Sequence, residues 1–266
     1  MSAATAAGPP PPGPAPRKVA AALELTGLTK SFGALTVVDH VSVTVPVGGR
    51  LAVIGPNGAG KTTLFRMIAG ELPVSSGSVA LFGDDVTRVS ERGRAIRGVS
   101  RTFQVSNLFP SLSAVDNVRL AAQVNTATAR TFWRRTAPDD TYGDHAREAL
   151  EQVGLGGRAS DSVSDLSHGE QRQLEIAMAL VSRPRLLLFD EPAAGLSQSE
   201  RMMLQSLLQQ LPADLSYVLI EHDMSLALEL TDQVLCLDNG RPLAYGSPAE
   251  IRADAQVQAV YLGRRP

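Results

Sequence analysis

Gly55-Pro56-Asn57-Gly58-Ala59-Gly60-Lys61-Thr62-Thr63 is the stretch on which the reading of this chain turns. The apolar run Leu51-Ala52-Val53-Ile54 precedes it and reads as a buried strand. Leu64, Phe65, Met67, Ile68 and Ala69 follow it and read as the buried side of a helix. The pattern is G-x-x-x-x-G-K-[ST] between strand and helix, the context that gives it meaning. Glycines let the backbone bend so that successive N–H groups converge on a polyphosphate with no Cβ in the way. The helix starting near Lys61 directs its positive end at the same point. Lys61 adds a mobile charge for the outer phosphates, and the Thr62 hydroxyl is placed to ligate Mg²⁺. A plain glycine-rich turn has no use for Lys61 and Thr62 at these positions, so the stretch predicts a nucleoside-triphosphate site.

The chain of 266 residues is long enough for one large domain, or for a domain with a subdomain, around a real core. Its formal charge of −2 carries no bulk footprint of nucleic-acid binding. The one cysteine, Cys236, lies in an apolar run and reads as a packed thiol in a reducing compartment. No uncharged apolar run approaches the roughly 20 residues that span a bilayer, so work at a membrane would require another chain to cross it. Residues 1–20 read as a disordered, partly polyproline-II tail, with Pro9 to Pro12 consecutive. This tail lacks the apolar centre of a signal peptide.

Leu23 to Leu28 and Val37 to Val45 read as strands of a β layer. Phe32, beside Gly33, is either a turn aromatic tucked into the core or a platform for a base. Gly77 to Phe82 and Val99 to Phe103 read as further strands, with Asp84-Asp85 as a turn between them. From Ser111 to about Leu166 the pattern becomes helical. Ser113-x-x-Asp116 has the form of a helix start, and another helix covers about Tyr142 to Val153. The polar stretch between them holds Trp133 among Arg130, Arg134 and Arg135, read as a solvated loop. Ser167 to Glu170 has capping-box spacing before Leu174, Ala177, Met178 and Val181, which mark one buried face.

Leu186-Leu187-Leu188-Phe189-Asp190-Glu191 is an unbroken apolar run ending in two carboxylates, as suits a parallel strand covered on both faces. Ligands of such sheets sit beyond the strands' carboxyl ends. Two adjacent carboxylates with nothing basic beside them in sequence are costly unless a metal or a reaction uses them. Ser197-x-x-Glu200 starts another helix. Tyr217 to Ile220 is a strand ending Glu221-His222-Asp223, and a hairpin turns at Asp238-Asn239-Gly240. Ser247-Pro248-Ala249-Glu250 opens a last short helix.

Together these motifs resemble the nucleotide-binding subunit of ATP-binding-cassette transporters over nearly everything after the tail. Leu166-Ser167-His168-Gly169-Glu170, just upstream of the strand ending Asp190-Glu191, carries most of that resemblance. Arg101-Thr102-Phe103-Gln104 through Leu108-Phe109-Pro110, with Glu221-His222-Asp223-Met224, is most similar to the subset serving branched-chain amino-acid and related amide or urea importers. The resemblance implies an α/β fold: a P-loop NTPase core with a mostly parallel sheet, an antiparallel β subdomain and a helical subdomain. It implies one such domain over residues 21–266, its helical subdomain about 105–182 and a short helical extension about 247–266.

The resemblance also implies roles. Phe32 stacks on the adenine of ATP; Gly55, Pro56, Asn57, Gly58, Ala59, Gly60, Lys61, Thr62 and Thr63 hold its phosphates. Thr62, Gln104 and Asp190 attend Mg²⁺, Glu191 is the general base, and His222 contacts the γ-phosphate. Ser167 and Gly169 serve the nucleotide of a second, identical or similar cassette, where each helix end contributes about 0.3–2 kcal/mol. Implied partners are integral-membrane permease subunits and, indirectly, a solute-binding protein, with no nucleic acid. The implied location is peripheral, on the cytoplasmic face of the inner membrane.

This sequence departs from the family pattern at three places. His168 stands where glycine is usual, Glu170 where glutamine is usual, and Ser197 where aspartate follows Ala194-Gly195-Leu196. Related heads in DNA repair and chromosome structure carry a long coiled coil between loop and signature, and no sustained heptads occupy that interval here. Translation factors of the same type carry two cassettes in tandem, and this chain has one.

Overall fold

β3 (Arg50–Ile54), the strand that feeds the glycine loop, lies near the middle of a six-stranded sheet. It runs parallel to β8 (Ser216–Ile220) on one side and to β9 (Gln233–Asp238) on the other. β7 (Leu186–Asp190) joins β8 in parallel, and β6 (Val99–Arg101) joins β7. β10 (Arg241–Gly246) closes the far edge antiparallel to β9. The order is β10-β9-β3-β8-β7-β6. Every residue of β7 and β8 is buried, which explains their unbroken apolar runs. A computed structural model describes residues 21–102, 108–124 and 141–262 of the chain. Gln104, Phe103, the Trp133 cluster and the Pro-rich tail lie outside them.

A second sheet, β2-β1-β4-β5, is wholly antiparallel: β1 (Ala21–Phe32), β2 (Leu35–Pro46), β4 (Ser76–Leu81) and β5 (Asp84–Asp85). One expectation is corrected here. Asp84 and Asp85 are not the turn; they are the last strand, paired with Leu81 and Ala80. The turn is Phe82-Gly83, with φ of 53° and 91°, the left-handed pair that a two-residue hairpin requires. The β9–β10 hairpin uses the same device at Asn239 and Gly240, with φ of 47° and 82°, where the sequence placed it.

α1 (Lys61–Ala69) is wedged between the two sheets. Its Leu64, Phe65 and Ile68 share one apolar cluster with Leu25 and Val79 of the antiparallel sheet and with Leu188 and Val218 of the parallel one. On the other side of the parallel sheet, α3 (Ala114–Val124), α4 (Thr141–Gln152) and α5 (His168–Leu180) pack on one another through Val118, Leu150 and Leu174. That cluster continues through Leu204 and Leu208 of α6 (Gln198–Gln209) to Phe189 and Tyr217, whose rings meet edge to face at 5.6 Å. α7 (Met224–Leu230), α8 (Pro248–Ala253) and α9 (Ala255–Leu262) cover the β9 end around Cys236. Burial pushes that thiol up to about 11, so it packs, as its sequence context suggested. Capping boxes at Ser167/Glu170, Ser197/Glu200 and Ser247/Glu250 start α5, α6 and α8, each worth about 1 kcal/mol.

α2 (Glu91–Ile96) has no clear periodic signal and exists for Arg94. Its guanidinium is 2 % exposed. Nη1 donates to Met67 O and Ile68 O at 2.7 Å each, Nη2 to Val86 O at 2.7 Å and Nε to Val89 O at 3.1 Å. Two of these carbonyls belong to the last turn of α1, where the helix supplies few donors of its own; Met67 O takes only the capping Gly70 N–H at 3.2 Å. Burial lowers the Arg94 pKa to about 10, so the group stays charged at neutral pH. Arg94→Met takes the side-chain donor from all four carbonyls; Met67 O and Val86 O keep the Gly70 and Val89 N–H groups, so the loss is expected to cost about 1–3 kcal/mol in urea unfolding. A cost below about 0.5 kcal/mol, the level of an ordinary surface substitution, would show that the carbonyls find other partners.

Candidate active site

The loop after β3 is fitted against two neighbouring backbones. A Cβ on Gly55 would meet Leu237 O at 2.2 Å and one on Gly60 would meet Val37 O at 2.5 Å, and φ at the two is 145° and 98°. Glycine is therefore required twice over at both ends of the turn. Lys61 is 5 % exposed, and its Nζ donates to Gly55 O at 2.7 Å and Pro56 O at 3.0 Å. Burial lowers its pKa, opposed by the charge of Glu191. Asn57, Gly58 and Thr62 are exposed, Pro56 and Thr63 half-buried, and Ala59 buried. Phe32, at the end of β1, is 50 % exposed with Lys30 Nζ 5.1 Å from its ring centroid. That exposure removes the alternative of a turn aromatic tucked into the core.

The ends of β7 and β8 bring the acidic residues and the histidine to the same edge. Asp190 is 1 % exposed, and its Oδ2 accepts from Arg101 Nη2 at 2.9 Å. Arg101, at the end of β6, also pairs with Glu71 and lies 5.0 Å from the centroid of the Phe65 ring. The sequence offered nothing basic beside Asp190-Glu191; the fold supplies it from the adjacent strand. Compensation is still partial, because Asp190 Oδ1 is buried with no hydrogen-bond partner among the described residues.

Glu191 has φ of 49°, a left-handed setting that costs a residue with a side chain about 1–2 kcal/mol. Its Oε1 lies 2.6 Å from His222 Nε2, so the imidazole donates to the carboxylate when that nitrogen carries the proton. Glu221, 4 % exposed, accepts the Ala193 N–H at 3.1 Å and the His222 N–H at 3.2 Å, joining the segment after Glu191 to the segment that carries His222.

Ser167 and Gly169 belong to a separate place, the start of α5, where Ser167 is exposed and Gly169 buried. Ser167 exchanges hydrogen bonds with Glu170, whose other oxygen takes Arg158 Nη1 at 2.9 Å. The charge of Glu170 is thereby answered within the chain. The Gly169 N–H donates to Glu200 Oε1 at 2.9 Å, and a Cβ there would stand 2.8 Å from the same carboxylate. Ser197 caps α6 as the sequence suggested, through Glu200. Gln104 lies outside the described residues. Sequence reading gave no site role to Arg101, Arg172 or Glu221, and gave Glu200 only its part in starting α6. Only Arg101 left a usable signal: it ends a strand beside β7, and such ends line the ligand crevice of a parallel sheet.

A parallel sheet that gathers a phosphate loop, two carboxylates and a histidine at one edge defines a nucleoside triphosphatase of the phosphate-loop class. A profile described as "ABC transporter" matches residues 38–194, and one described as "Branched-chain amino acid ATP-binding cassette transporter" matches residues 241–265. The chain belongs to the ABC transporter family, as one of its ATP-binding cassettes. It is 37 % identical over 248 residues to the high-affinity branched-chain amino acid transport ATP-binding protein BraF of Pseudomonas aeruginosa, covering 91 % of this chain and 97 % of that one. It is 35 % identical over 249 residues to LivG of Escherichia coli strain K12, which bears the same description, with the same coverage of both chains. The crystal structure of the ADP conformation of MJ1267, an ATP-binding cassette of an ABC transporter, superposes with a TM-score of 0.81 at 26 % identity, covering 92 % of this chain and 99 % of that one.

Burial raises the pKa of Glu221 above 4.5, with the Ala193 and His222 N–H groups opposing. The folded chain then holds this proton more tightly than the unfolded chain. Stability is highest below the unfolded value of 4.5 and falls as pH rises through the folded value. Glu221→Gln, which never ionises, removes that slope. Urea unfolding between pH 4.5 and 8 is expected to show the wild type losing stability relative to the variant as pH rises. A gap that does not change with pH would mean that Glu221 titrates alike in both states.

Proposed function

We propose that this chain is the ATP-hydrolysing subunit of a membrane importer that takes up branched-chain amino acids or related small polar solutes. It sits peripherally on the cytoplasmic face of the inner membrane, bound to integral permease subunits, with a solute-binding protein acting on the other side. The observation that carries the reading is the convergence of Lys61, Asp190, Glu191 and His222 at the carboxyl ends of β3, β7 and β8. The solute class rests on what BraF and LivG are described as serving and on the C-terminal match at residues 241–265; uptake as the direction rests on the resemblance of the motifs to importer cassettes.

In this reading the N–H groups of Gly55 to Thr63 and the Lys61 ammonium bind the phosphates, and Phe32 stacks on adenine. Glu191 accepts the proton of a water whose oxygen bonds to the γ-phosphorus while the bond to the β,γ-bridging oxygen breaks and its electrons leave with ADP. His222 holds Glu191 Oε1 and orients the carboxylate. The residues fit a magnesium ion: the orphaned Asp190 Oδ1 and the exposed Thr62 hydroxyl offer hard oxygen ligands, and Gln104 is the third candidate. When bound, the ion neutralises charge building on the phosphate oxygens.

Ser167 and Gly169 serve the nucleotide of a second cassette, of the same or a similar chain. Pairing of this kind exchanges the Gly169–Glu200 hydrogen bond for one to phosphate. Residues 21–266 act as one ATPase domain, whose helical part, about 105–182, carries the permease contact. The domain ends in a short helical extension, about 247–266.

Two outcomes test this. Glu191→Gln is expected to lower steady-state hydrolysis of Mg²⁺-ATP by about 10²–10⁴-fold while leaving nucleotide binding intact; a variant with the full rate ends the base assignment. Stacking reads bases weakly, so GTP is expected to be hydrolysed within about tenfold of ATP. A stronger preference for ATP in the same assay would reveal hydrogen bonds to the base. For the solute, co-expression with its permease and uptake of labelled leucine, lost in the Glu191→Gln strain, is the matching measurement.

A further inference from the structure

The left-handed backbone at Glu191 persists only where its surroundings enforce it, and the enforcing contacts are visible. Its N–H donates to Ile220 O at 3.0 Å, and its carbonyl accepts the Ala194 N–H at 3.1 Å. The same carbonyl accepts Arg172 Nη2 at 2.8 Å. Arg172 reaches the residues on either side as well. Its Nε donates to Pro192 O at 2.8 Å, and its Nη2 lies 3.4 Å from Asp190 O. Nη1 pairs with Glu175, one turn further along α5, and the side chain is 10 % exposed. One planar group thus gathers three consecutive carbonyls, on the residues that carry both site carboxylates.

We propose that Arg172 is a positioning residue for hydrolysis: by drawing in the carbonyls of Asp190, Glu191 and Pro192, it fixes the turn that aims the Glu191 carboxylate at His222 and the phosphate loop. The chemistry calls for arginine. A guanidinium presents donors in a rigid fork, whereas a lysine ammonium is a single point that cannot reach along three peptides at once. The buried pair with Glu175 holds the fork in register and balances its charge. Arg172 projects from α5, the helix that begins at Ser167 and Gly169. The aim of Glu191 is therefore tied to the placement of the helix that the second cassette's nucleotide meets.

This inference rests on the reading of Glu191 as the proton acceptor, and the test separates the two. ATP hydrolysis, affinity for a fluorescent ATP analogue and amide hydrogen exchange are measured for the full chain and for R172K, R172A, E191Q and both double variants. A misaimed base costs about 100-fold, so R172A is expected to lose about that factor in kcat and R172K about tenfold. KM for ATP and analogue affinity should stay within about twofold, because the binding loop is untouched. On the E191Q background neither arginine variant should remove more than about twofold of the residual rate, the non-additivity of groups that act as one unit. The Ala193 and Ala194 amides should exchange faster in both arginine variants.

Arginine variants at the wild-type rate overturn the proposal, as does an equal loss with and without Glu191, or a loss of ATP affinity in step with kcat. E191Q at full rate instead overturns the underlying reading of the base. If R172A does not fold, R172K, which keeps a charge beside Glu175, decides by the same criteria.

Discussion

β8 hydrogen-bonds in parallel with β3 on one side and β7 on the other, and its last residue, Ile220, is the point where the site is assembled. Ile220 pairs with Val53 of β3 and with Asp190 of β7, and its carbonyl takes the Glu191 N–H. That one register brings the phosphate loop, the two carboxylates and the Glu221-His222 segment to a common edge. The apolar core fixes it. A slip of one residue would turn the buried side chains of these strands to the opposite faces, with Leu188 and Phe189 leaving the clusters they fill on either side of the sheet. The geometry of the site is thus held by hydrophobic packing that makes no chemical contact with it.

Within that frame the charges are concentrated and only partly balanced. Asp190 is nearly inaccessible and relies on Arg101; Lys61 is buried over its own loop; Glu221 is buried on two N–H groups; Arg172 is buried on three carbonyls and Glu175. Burying charges without partners is prohibitive, and breaking such pairs is costly even where forming them gains little. The pairing therefore explains how so many ionised groups are kept in one place better than it explains stability. Asp190 Oδ1 stays buried without a hydrogen-bond partner among the described residues, and it is one of the oxygens proposed above for a cation.

The start of α5 shows the same economy on the exposed side. His168 and Glu170 replace small or neutral residues of the family pattern, yet the helix is capped by Ser167 and Glu170, and Glu170 meets Arg158. The free N–H of Gly169 is taken by Glu200, the residue that also caps α6. A carboxylate at a helix N-terminus stands where an anionic ligand would. This end of the cassette is capped within the chain, and in the proposed pairing a second cassette's nucleotide would displace Glu200 from it.

Short-range patterns were legible from the residues alone. The loop from Gly55 to Thr63, the three Ser-x-x-Glu caps, the buried runs of β3, β7 and β8 and the Asn239-Gly240 hairpin all depend on neighbours a few positions away. Tertiary structure alone decided the rest. β5 exists because Phe82-Gly83 folds back on β4, and α2 because Arg94 is needed beneath α1. The Arg101–Asp190 pair spans 89 positions, the Gly169–Glu200 contact 31 and the Arg172–Glu191 contact 19. Periodicity and capping record what a residue does within its own turn or strand. Which cation meets which carboxylate is set by strand order, register and helix placement, and these emerge only when the whole core closes.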